Sequence, residues 1–169
     1  IARRDLPTTY YGPNTGVGIA IREKQKAGAV RIGVIGLGTG TTAAYGRLGD
    51  YIRYYEINPL VLELARKEFF FLQDCKAKLD VVMGDARLSL EEEAVRHDFQ
   101  KFDVLFVDAF NGDSIPVHLL TREAMALYLS HLRGPDSVIV VNATNVFVNL
   151  VPVVVALAEN YGLKATLIR

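Results

Sequence analysis

The sequence of 169 residues has no tryptophan, a single cysteine, and no excess of either charge, with 19 basic and 19 acidic side chains. One cysteine cannot form an internal disulfide or a multi-thiolate zinc site, so neither is expected to hold the fold together. A net charge of zero provides no overall field that would gather nucleic acid. The composition therefore predicts a domain held by its apolar core, without a structural metal and without a nucleic-acid partner.

Long hydrophobic runs are also missing, because no segment reaches the roughly 20 apolar residues that cross a bilayer. The nearest candidate, residues 146–158, is interrupted by Asn149 and Pro152. The beginning of the sequence lacks the pattern of a secretory leader. We therefore expect a cytoplasmic protein, or the cytoplasmic domain of a larger membrane-associated chain. The abrupt ends at Ile1 and Arg169 favour an excised domain of a longer protein.

What the sequence does contain is a regular alternation of short apolar runs and amphipathic segments from residue 29 onward. Residues 1–28 hold turn formers and a polar tract, which predict a lead-in arm or hairpin. Strands are predicted at 30–35, 52–57, 79–83, 102–107, 137–142 and 164–168. Helices are predicted at 41–47, 59–70, 87–96, 121–132 and 146–161. This order predicts one α/β domain over 29–169, with a doubly wound, mostly parallel sheet and helices on both faces.

A glycine-rich loop follows the first predicted strand, at the edge of the sheet where such folds bind ligands. Gly36, Gly38 and Gly40 allow tight turns and a close approach of a ligand, and the next helix begins at Thr41 with free N–H donors. The spacing G-x-G-x-G favours a nucleoside of the S-adenosylmethionine type over a nicotinamide dinucleotide. The alternative is a loop that only packs a helix on a strand.

Acidic residues follow the second and third predicted strands. Glu56 lies about 20 residues after Gly36, the spacing expected of an acid that holds ribose hydroxyls. It could instead be a solvated carboxylate at a strand end. Asp85, in the sequence Gly84-Asp85-Ala86, could accept a hydrogen bond from an adenine amino group or cap the following helix. Both roles remain open for Asp85.

The fourth predicted strand ends in Asp108, and Asp113 follows in a loop long enough to fold over it. Two carboxylates beside an apolar rim can bind a cationic amine and, with a raised pKa, take its proton. A helix-dipole or loop-capping role is the alternative for Asp108, and ordinary turn chemistry is the alternative for Asp113. His118 is interpreted as a loop or helix-entry residue. A serine hydrolase is disfavoured because no G-x-S-x-G string occurs.

With these residues in place, the chain resembles the polyamine aminopropyltransferases, the spermidine synthase family, over about residues 10–163. This resemblance implies an α/β fold of the S-adenosylmethionine-dependent methyltransferase type. The motifs that carry it are Val34-Ile35-Gly36-Leu37-Gly38-Thr39-Gly40, Tyr55-Glu56-Ile57-Asn58-Pro59, Gly84-Asp85-Ala86 and Asp103-Val104-Leu105-Phe106-Val107-Asp108.

The resemblance also implies roles for single residues. Glu56 would hold the ribose, Asp85 and Ala86 would lie near the adenine, and Asp108 would deprotonate the attacking amine. Tyr10 and Tyr11 would be a remnant of the family's amino-terminal strand domain, which helps to cover the amine.

The expected activity is aminopropyl transfer from decarboxylated S-adenosylmethionine to a polyamine such as putrescine, with Asp113 as a further amine-binding residue. The partner would be this small-molecule amine, with the donor as co-substrate and no tightly bound cofactor or metal. A homo-oligomer remains open. Family members usually carry Asp where Thr39 stands. Two alternatives therefore stay open, an S-adenosylmethionine-dependent small-molecule methyltransferase and a non-catalytic nucleoside- or polyamine-binding module of a larger protein.

Overall fold

The computed structural model describes residues 6–110, 115–144 and 148–168. Five strands form one sheet, in which all neighbouring strands are parallel and the order is β3-β2-β1-β4-β5. This arrangement confirms the predicted doubly wound sheet. The strands are β1 (Arg31–Ile35), β2 (Tyr51–Glu56), β3 (Lys78–Met83), β4 (Val104–Val107) and β5 (Val138–Val141).

The strand order reverses between β1 and β4. After β1 the chain adds β2 and β3 on one side, and it then crosses to add β4 and β5 on the other. Ile35 at the end of β1 pairs with Tyr55 on β2 and with Val107 on β4, so these strands end at the same level. A crevice at the carboxyl ends of strands on either side of such a reversal is the usual ligand site of this architecture.

The described residues form six α-helices, and local sequence signals set the starts of several of them. Asn58 accepts a hydrogen bond from the N–H of Leu60, and Pro59 takes the first helical position, where its missing N–H removes no hydrogen bond. Thr121 caps another helix through the N–H of Ala124. The helices are α1 (Gly16–Gln25), α2 (Pro59–Glu68), α3 (Phe71–Asp74), α4 (Ala86–Val95), α5 (Arg122–Ser130) and α6 (Val151–Asn160).

Within the arm or hairpin predicted at 1–28, the described residues are mainly helical and form no hairpin. A 3₁₀ turn occupies Thr9–Tyr11, and α1 follows it. Val17 and Ile21, one helical turn apart, are buried in the core, and this packing outweighs the poor helix propensity of the glycines. Gly18 is needed for close contact, since a Cβ there would lie 2.3 Å from the carbonyl oxygen of Gly12.

Other predicted boundaries also differ from the structure. The strand predicted at 164–168 is absent, and those residues are exposed and make no sheet pairing. An apolar run forms a strand only where a neighbouring strand pairs with it. The helix predicted at 59–70 ends at Glu68, because Phe69 has an extended backbone, and α3 follows separately. The segment predicted as a helix at 41–47 forms a 3₁₀ helix, Thr41–Tyr45. The helix predicted at 146–161 corresponds to α6, which begins only at Val151.

Adjacent residues of the central strands lie in two separate apolar clusters, one on each face of the sheet. Val34 and Tyr54 pack in one cluster with α1, whereas Ile35 and Tyr55 pack in the other with α4 and α5. This alternation is the period-2 pattern of a strand covered on both sides. In the part of the chain that the structure describes, no helix has the length and apolarity needed to span a membrane.

Candidate functional site

The polar residues that follow the strands line one edge of the sheet. Hydrogen bonds between the strand ends fix their positions: the N–H of Gly84 donates to the carbonyl of Glu56, and the N–H of Asp108 donates to the carbonyl of Ile35, both at 2.9 Å. From β3 to β5, the order along this edge is Asp85, Glu56, the loop 36–40, Asp108 and Asn142. The structure therefore brings most of the predicted site residues together.

The glycine loop lies in the middle of this edge, against the residue that ends β4. Gly36, Gly38 and Gly40 have φ values of +94°, +53° and +80°, in the left-handed region. A Cβ at Gly36 would lie 2.6 Å from the carbonyl oxygen of Asp108, closer than any real side chain allows. The loop therefore passes directly over the backbone of Asp108, and position 36 requires glycine for both reasons.

Glu56 is buried at the end of β2, so the alternative of a solvated carboxylate is wrong. Its carboxylate accepts hydrogen bonds from the N–H of Leu37, at 2.9 Å, and from the N–H of Asn58, at 2.8 Å. The side chain therefore joins the glycine loop to the start of α2. A contact between Glu56 and ribose stays a prediction, and this orientation places the carboxylate beside the loop.

Asp85 caps α4, which is one of its two predicted roles. One carboxylate oxygen accepts from the N–H of Leu88 at 3.0 Å, and the other lies 2.9 Å from Nε2 of His118. Partial burial raises the pKa of Asp85, but hydrogen bonds from the Leu88 N–H and from His118 lower it by more. The net pKa of Asp85 is therefore below its ordinary value. Ala86 is the first residue of α4 and is buried. Contact with adenine stays a prediction for both Asp85 and Ala86.

Asp108 is a buried carboxyl group held by two side-chain donors. The Tyr11 hydroxyl donates to Oδ2 at 2.5 Å, and Nδ2 of Asn142 donates to Oδ1 at 2.7 Å. Burial raises the pKa of Asp108 to about 6, although both hydrogen bonds act in the opposite direction by favouring the carboxylate. A carboxyl group with this pKa can exchange a proton near neutral pH, as a general base must.

Tyr11 reaches Asp108 from the segment before α1 and is fixed on several sides. Its carbonyl accepts from the Tyr45 hydroxyl at 2.5 Å, and its ring meets the ring of Phe106 edge-on, with centroids 6.2 Å apart. Burial and the nearby Asp108 charge raise the pKa of Tyr11 well above its ordinary value. The phenol therefore stays protonated and remains a donor. Tyr10 lies beside it, with ring centroids 4.4 Å apart.

Asn142 is a site residue that the sequence reasoning missed. Its Oδ1 accepts from the N–H of Thr144 at 3.2 Å and from the Thr144 hydroxyl at 2.6 Å, which turns Nδ2 toward Asp108. The available signal was its position directly after the apolar run 138–141, by the same strand-end rule that identified Asp108. The predicted amine-binding residue Asp113 lies outside the described residues.

No protein-family model matches the chain. The chain is 34% identical over 115 residues to the polyamine aminopropyltransferase of Vibrio vulnificus, an alignment that covers 66% of this chain and 37% of that protein. It is also 34% identical over 114 residues to the probable polyamine aminopropyl transferase of Bifidobacterium longum, covering 64% and 23% respectively. The matched region thus spans little more than a third of the first relative and about a quarter of the second.

Solved structures share the fold at low identity. Human methyltransferase-like protein 13 in complex with SAH superposes with a TM-score of 0.69 at 21% identity, covering 85% of this chain and 69% of that one. The O-methyltransferase of Bacillus cereus in complex with SAH gives a TM-score of 0.57 at 20% identity, covering 85% and 66%. The chain is therefore similar, over about two thirds of its length, to two polyamine aminopropyltransferases, and it shares the fold of these methyltransferase structures.

Proposed function

We propose that this domain transfers an aminopropyl group from decarboxylated S-adenosylmethionine to a polyamine such as putrescine, with Asp108 as the base. The observation that carries the proposal is the environment of Asp108, a buried carboxyl with a pKa of about 6 between the Tyr11 hydroxyl and the Asn142 amide. It lies against the glycine loop at the reversal of strand order. This is where a nucleoside co-substrate binds in folds of this type.

The donor nucleoside would lie along the carboxyl ends of β1, β2 and β3. Glu56 would accept hydrogen bonds from the ribose hydroxyls, and the loop would approach the sulfonium end. Ile57 and Met83, at the ends of adjacent strands, are 69% and 43% exposed, so they offer an apolar surface to a nucleobase. An adenine amino group that reached Asp85 would compete with His118 for the same carboxylate oxygen.

In the transfer step, the Asp108 carboxylate takes a proton from the acceptor ammonium group. The freed lone pair attacks the donor carbon next to the sulfonium in line with the C–S bond. The new C–N bond forms as the C–S bond breaks, and methylthioadenosine leaves with the bonding electrons on sulfur. Asp108 then returns its proton to solvent. Tyr11 and Asn142 hold the carboxylate in place, and positioning of the two substrates supplies most of the rate.

The test is to incubate the intact protein with decarboxylated S-adenosylmethionine and putrescine and to measure methylthioadenosine and spermidine by mass spectrometry. We expect Asp108→Asn to slow the transfer about 10²–10⁴-fold, the usual contribution of a general base. Calorimetry should show unchanged methylthioadenosine binding by this variant. Asp98→Asn, at an exposed acid away from the site, is the matched control and should behave as wild type.

The same experiment separates the alternatives. Formation of S-adenosylhomocysteine from S-adenosylmethionine would identify a methyltransferase. Binding without product for any donor and amine, with normal binding by Asp108→Asn, would identify a binding module. Absence of binding by every S-adenosyl compound would overturn the proposal at its first step.

A further inference from the structure

A cavity of about 600 Å³ opens beside the glycine loop, apart from the row of carboxylates at the strand ends. It lies between the segment that precedes α1, the loop itself and the junction of α2 with α3. Its lining includes Tyr10, Tyr11, Gly38, Glu68 and Phe69. The volume is sufficient for a small organic ligand.

Aromatic rings form much of the cavity wall. Tyr10 is 44% exposed and Phe69 is 37% exposed, although both are large rings that a folded chain usually buries more fully. The Tyr10 and Tyr11 rings lie together with centroids 4.4 Å apart. The face of an aromatic ring attracts an organic cation, and its edge also packs well against methylene groups. The wall therefore suits an alkyl chain that carries positive charge.

Glu68, the last residue of α2, is the one charged side chain among the described residues that line the cavity. Within the described ranges its carboxylate makes no hydrogen bond or ion pair, whereas the adjacent Lys67 pairs with Glu63 one turn earlier. The loop hydroxyls of Thr39 and Thr41 lie 2.7 Å apart, as a mutual hydrogen bond. Among the described residues, no cation pairs with this carboxylate at the cavity wall.

Tyr11 connects this cavity to the proposed base. Its ring lines the cavity, and its hydroxyl donates to Asp108. A Cβ placed at Gly38, which also lines the cavity, would lie 3.6 Å from the same hydroxyl. A ligand chain in the cavity would therefore end close to the group that takes the proton.

We propose that this cavity is an alkylammonium site, in which Glu68 binds a primary ammonium group and the rings of Tyr10 and Phe69 cover its methylene chain. This proposal rests on the proposed function, because the ammonium group would come from one of the two substrates named there. The ammonium belongs either to the aminopropyl end of the donor or to the far end of the acceptor amine.

Calorimetric titration of the intact protein tests the site and distinguishes the two sources. The ligands are decarboxylated S-adenosylmethionine, methylthioadenosine, which lacks the ammonium, and putrescine. We expect Glu68→Gln to weaken one of the two ammonium-bearing ligands about tenfold, the loss expected for a hydrogen bond to a charged group. Methylthioadenosine should bind equally to wild type and variant. Weaker binding of the donor by the variant would place the aminopropyl end of the donor in the cavity. Weaker binding of putrescine would place the acceptor there.

Two further variants complete the experiment. Glu63→Gln neutralises an exposed carboxylate on the same helix, outside the cavity lining, and should change no affinity. Tyr10→Leu removes a ring from the wall and should weaken the same ligand as Glu68→Gln, by about two- to fivefold. Both cavity residues are exposed, so these variants should keep the far-UV circular dichroism spectrum of the wild type.

The outcomes separate this proposal from the proposed function. Wild-type affinity of Glu68→Gln and Tyr10→Leu for both ammonium ligands would overturn the alkylammonium site. Failure of the wild type to bind both decarboxylated S-adenosylmethionine and putrescine would also overturn it. Putrescine binding that depends on Glu68, without binding of any S-adenosyl compound, would establish the site and reject the transferase.

Discussion

At the scale of single residues, Asp108 shows how burial and hydrogen bonding act against each other. Its side chain is 8% exposed, and this loss of water disfavours the carboxylate. Tyr11 and Asn142 each donate to one of its oxygens and favour the carboxylate. Burial has the larger effect, and the resulting pKa of about 6 lets Asp108 hold or release a proton near neutral pH. Transfer activity should therefore rise with pH through about 6, as the base ionises.

Replacement of Asn142 should move this pH dependence. Asn142→Leu removes one of the two donors that favour the charged form, so the pKa of Asp108 should rise and the acidic limb of kcat/KM should shift to higher pH. The measurement is a pH profile of transfer for wild type and variant. Asn160→Leu, at the exposed end of α6, is the control. An unchanged acidic limb in Asn142→Leu would show that the amide does not act on Asp108.

Asp108 should also make stability depend on pH. Its pKa is about 6 in the folded state and near 3.8 in the unfolded chain. Between these values the folded state binds more protons, so the contribution of Asp108 is fully present below pH 4 and is lost as pH rises through 6. Asp108→Asn has no such loss. The free energy of unfolding of the variant, relative to that of wild type, should therefore increase by about 2–3 kcal/mol between pH 4 and pH 7.

Urea denaturation at several pH values measures this difference. The free energy of unfolding of Asp108→Asn minus that of wild type should grow between pH 4 and 6 and level off above about pH 7. A difference that stays constant over this range would mean that Asp108 has an ordinary pKa in the folded protein.

At the scale of elements, the glycine loop and the segment before α1 both contact Asp108. The loop after β1 bends over Asp108 at Gly36. Helix α1 packs on the sheet, and the segment just before it carries Tyr11 to the site. A carbonyl of this segment, that of Tyr11, is held by Tyr45, which follows the glycine loop. The position of the base therefore depends on contacts between elements as well as on its own strand.

Gly36→Ala should disturb this arrangement strongly. The new Cβ would meet the Asp108 carbonyl oxygen at 2.6 Å, on a backbone with φ of +94°. We expect a loss of about 2–4 kcal/mol in the free energy of unfolding, from backbone strain together with the steric clash. Gly134→Ala is the matched control, because a Cβ there meets nothing within 4 Å and its φ lies outside the left-handed region. Equal urea midpoints for the two variants would contradict the close packing of the loop.

The elements that could be predicted from the sequence are those with local signals. The starts of α2 and α5 follow from the side chains of Asn58 and Thr121, and the buried strands follow from continuous apolar runs. The failures are at elements that depend on distant partners. Helix α1 begins among glycines and is stabilised by the core. The segment 164–168 pairs with no strand in the described part of the chain.

At the scale of the whole molecule, the two apolar clusters share the central strands. Ile21 of α1 belongs to the cluster on one face, and Leu90 of α4 belongs to the cluster on the other. Alternate residues of β1, β2 and β4 contribute to both clusters. Loss of packing on either face therefore weakens the same sheet, and the described part of the chain should unfold as one cooperative unit.

Ile21→Ala and Leu90→Ala test this cooperativity. Both side chains are 0% exposed, so each substitution should lower the free energy of unfolding by about 2–5 kcal/mol. Thermal transitions followed by far-UV circular dichroism and by the near-UV signal of the tyrosines should coincide in both variants. Ile19→Ala, at a position that is 39% exposed on α1, should change stability by less than about 1 kcal/mol. Separate transitions for the two faces would contradict a single unit.

The sequence by itself determined the alternation of the five strands with the helices between them, and the residues at the strand ends, Glu56, Asp85 and Asp108. Those properties are local, because an apolar run followed by glycine or an acid marks a strand end wherever the chain goes. Only the tertiary structure decided the partners of Asp108, since Tyr11 lies 97 residues away and Asn142 lies 34 residues away. It also decided the burial that raises the pKa of Asp108, because loss of water depends on packing between segments that are distant in the chain.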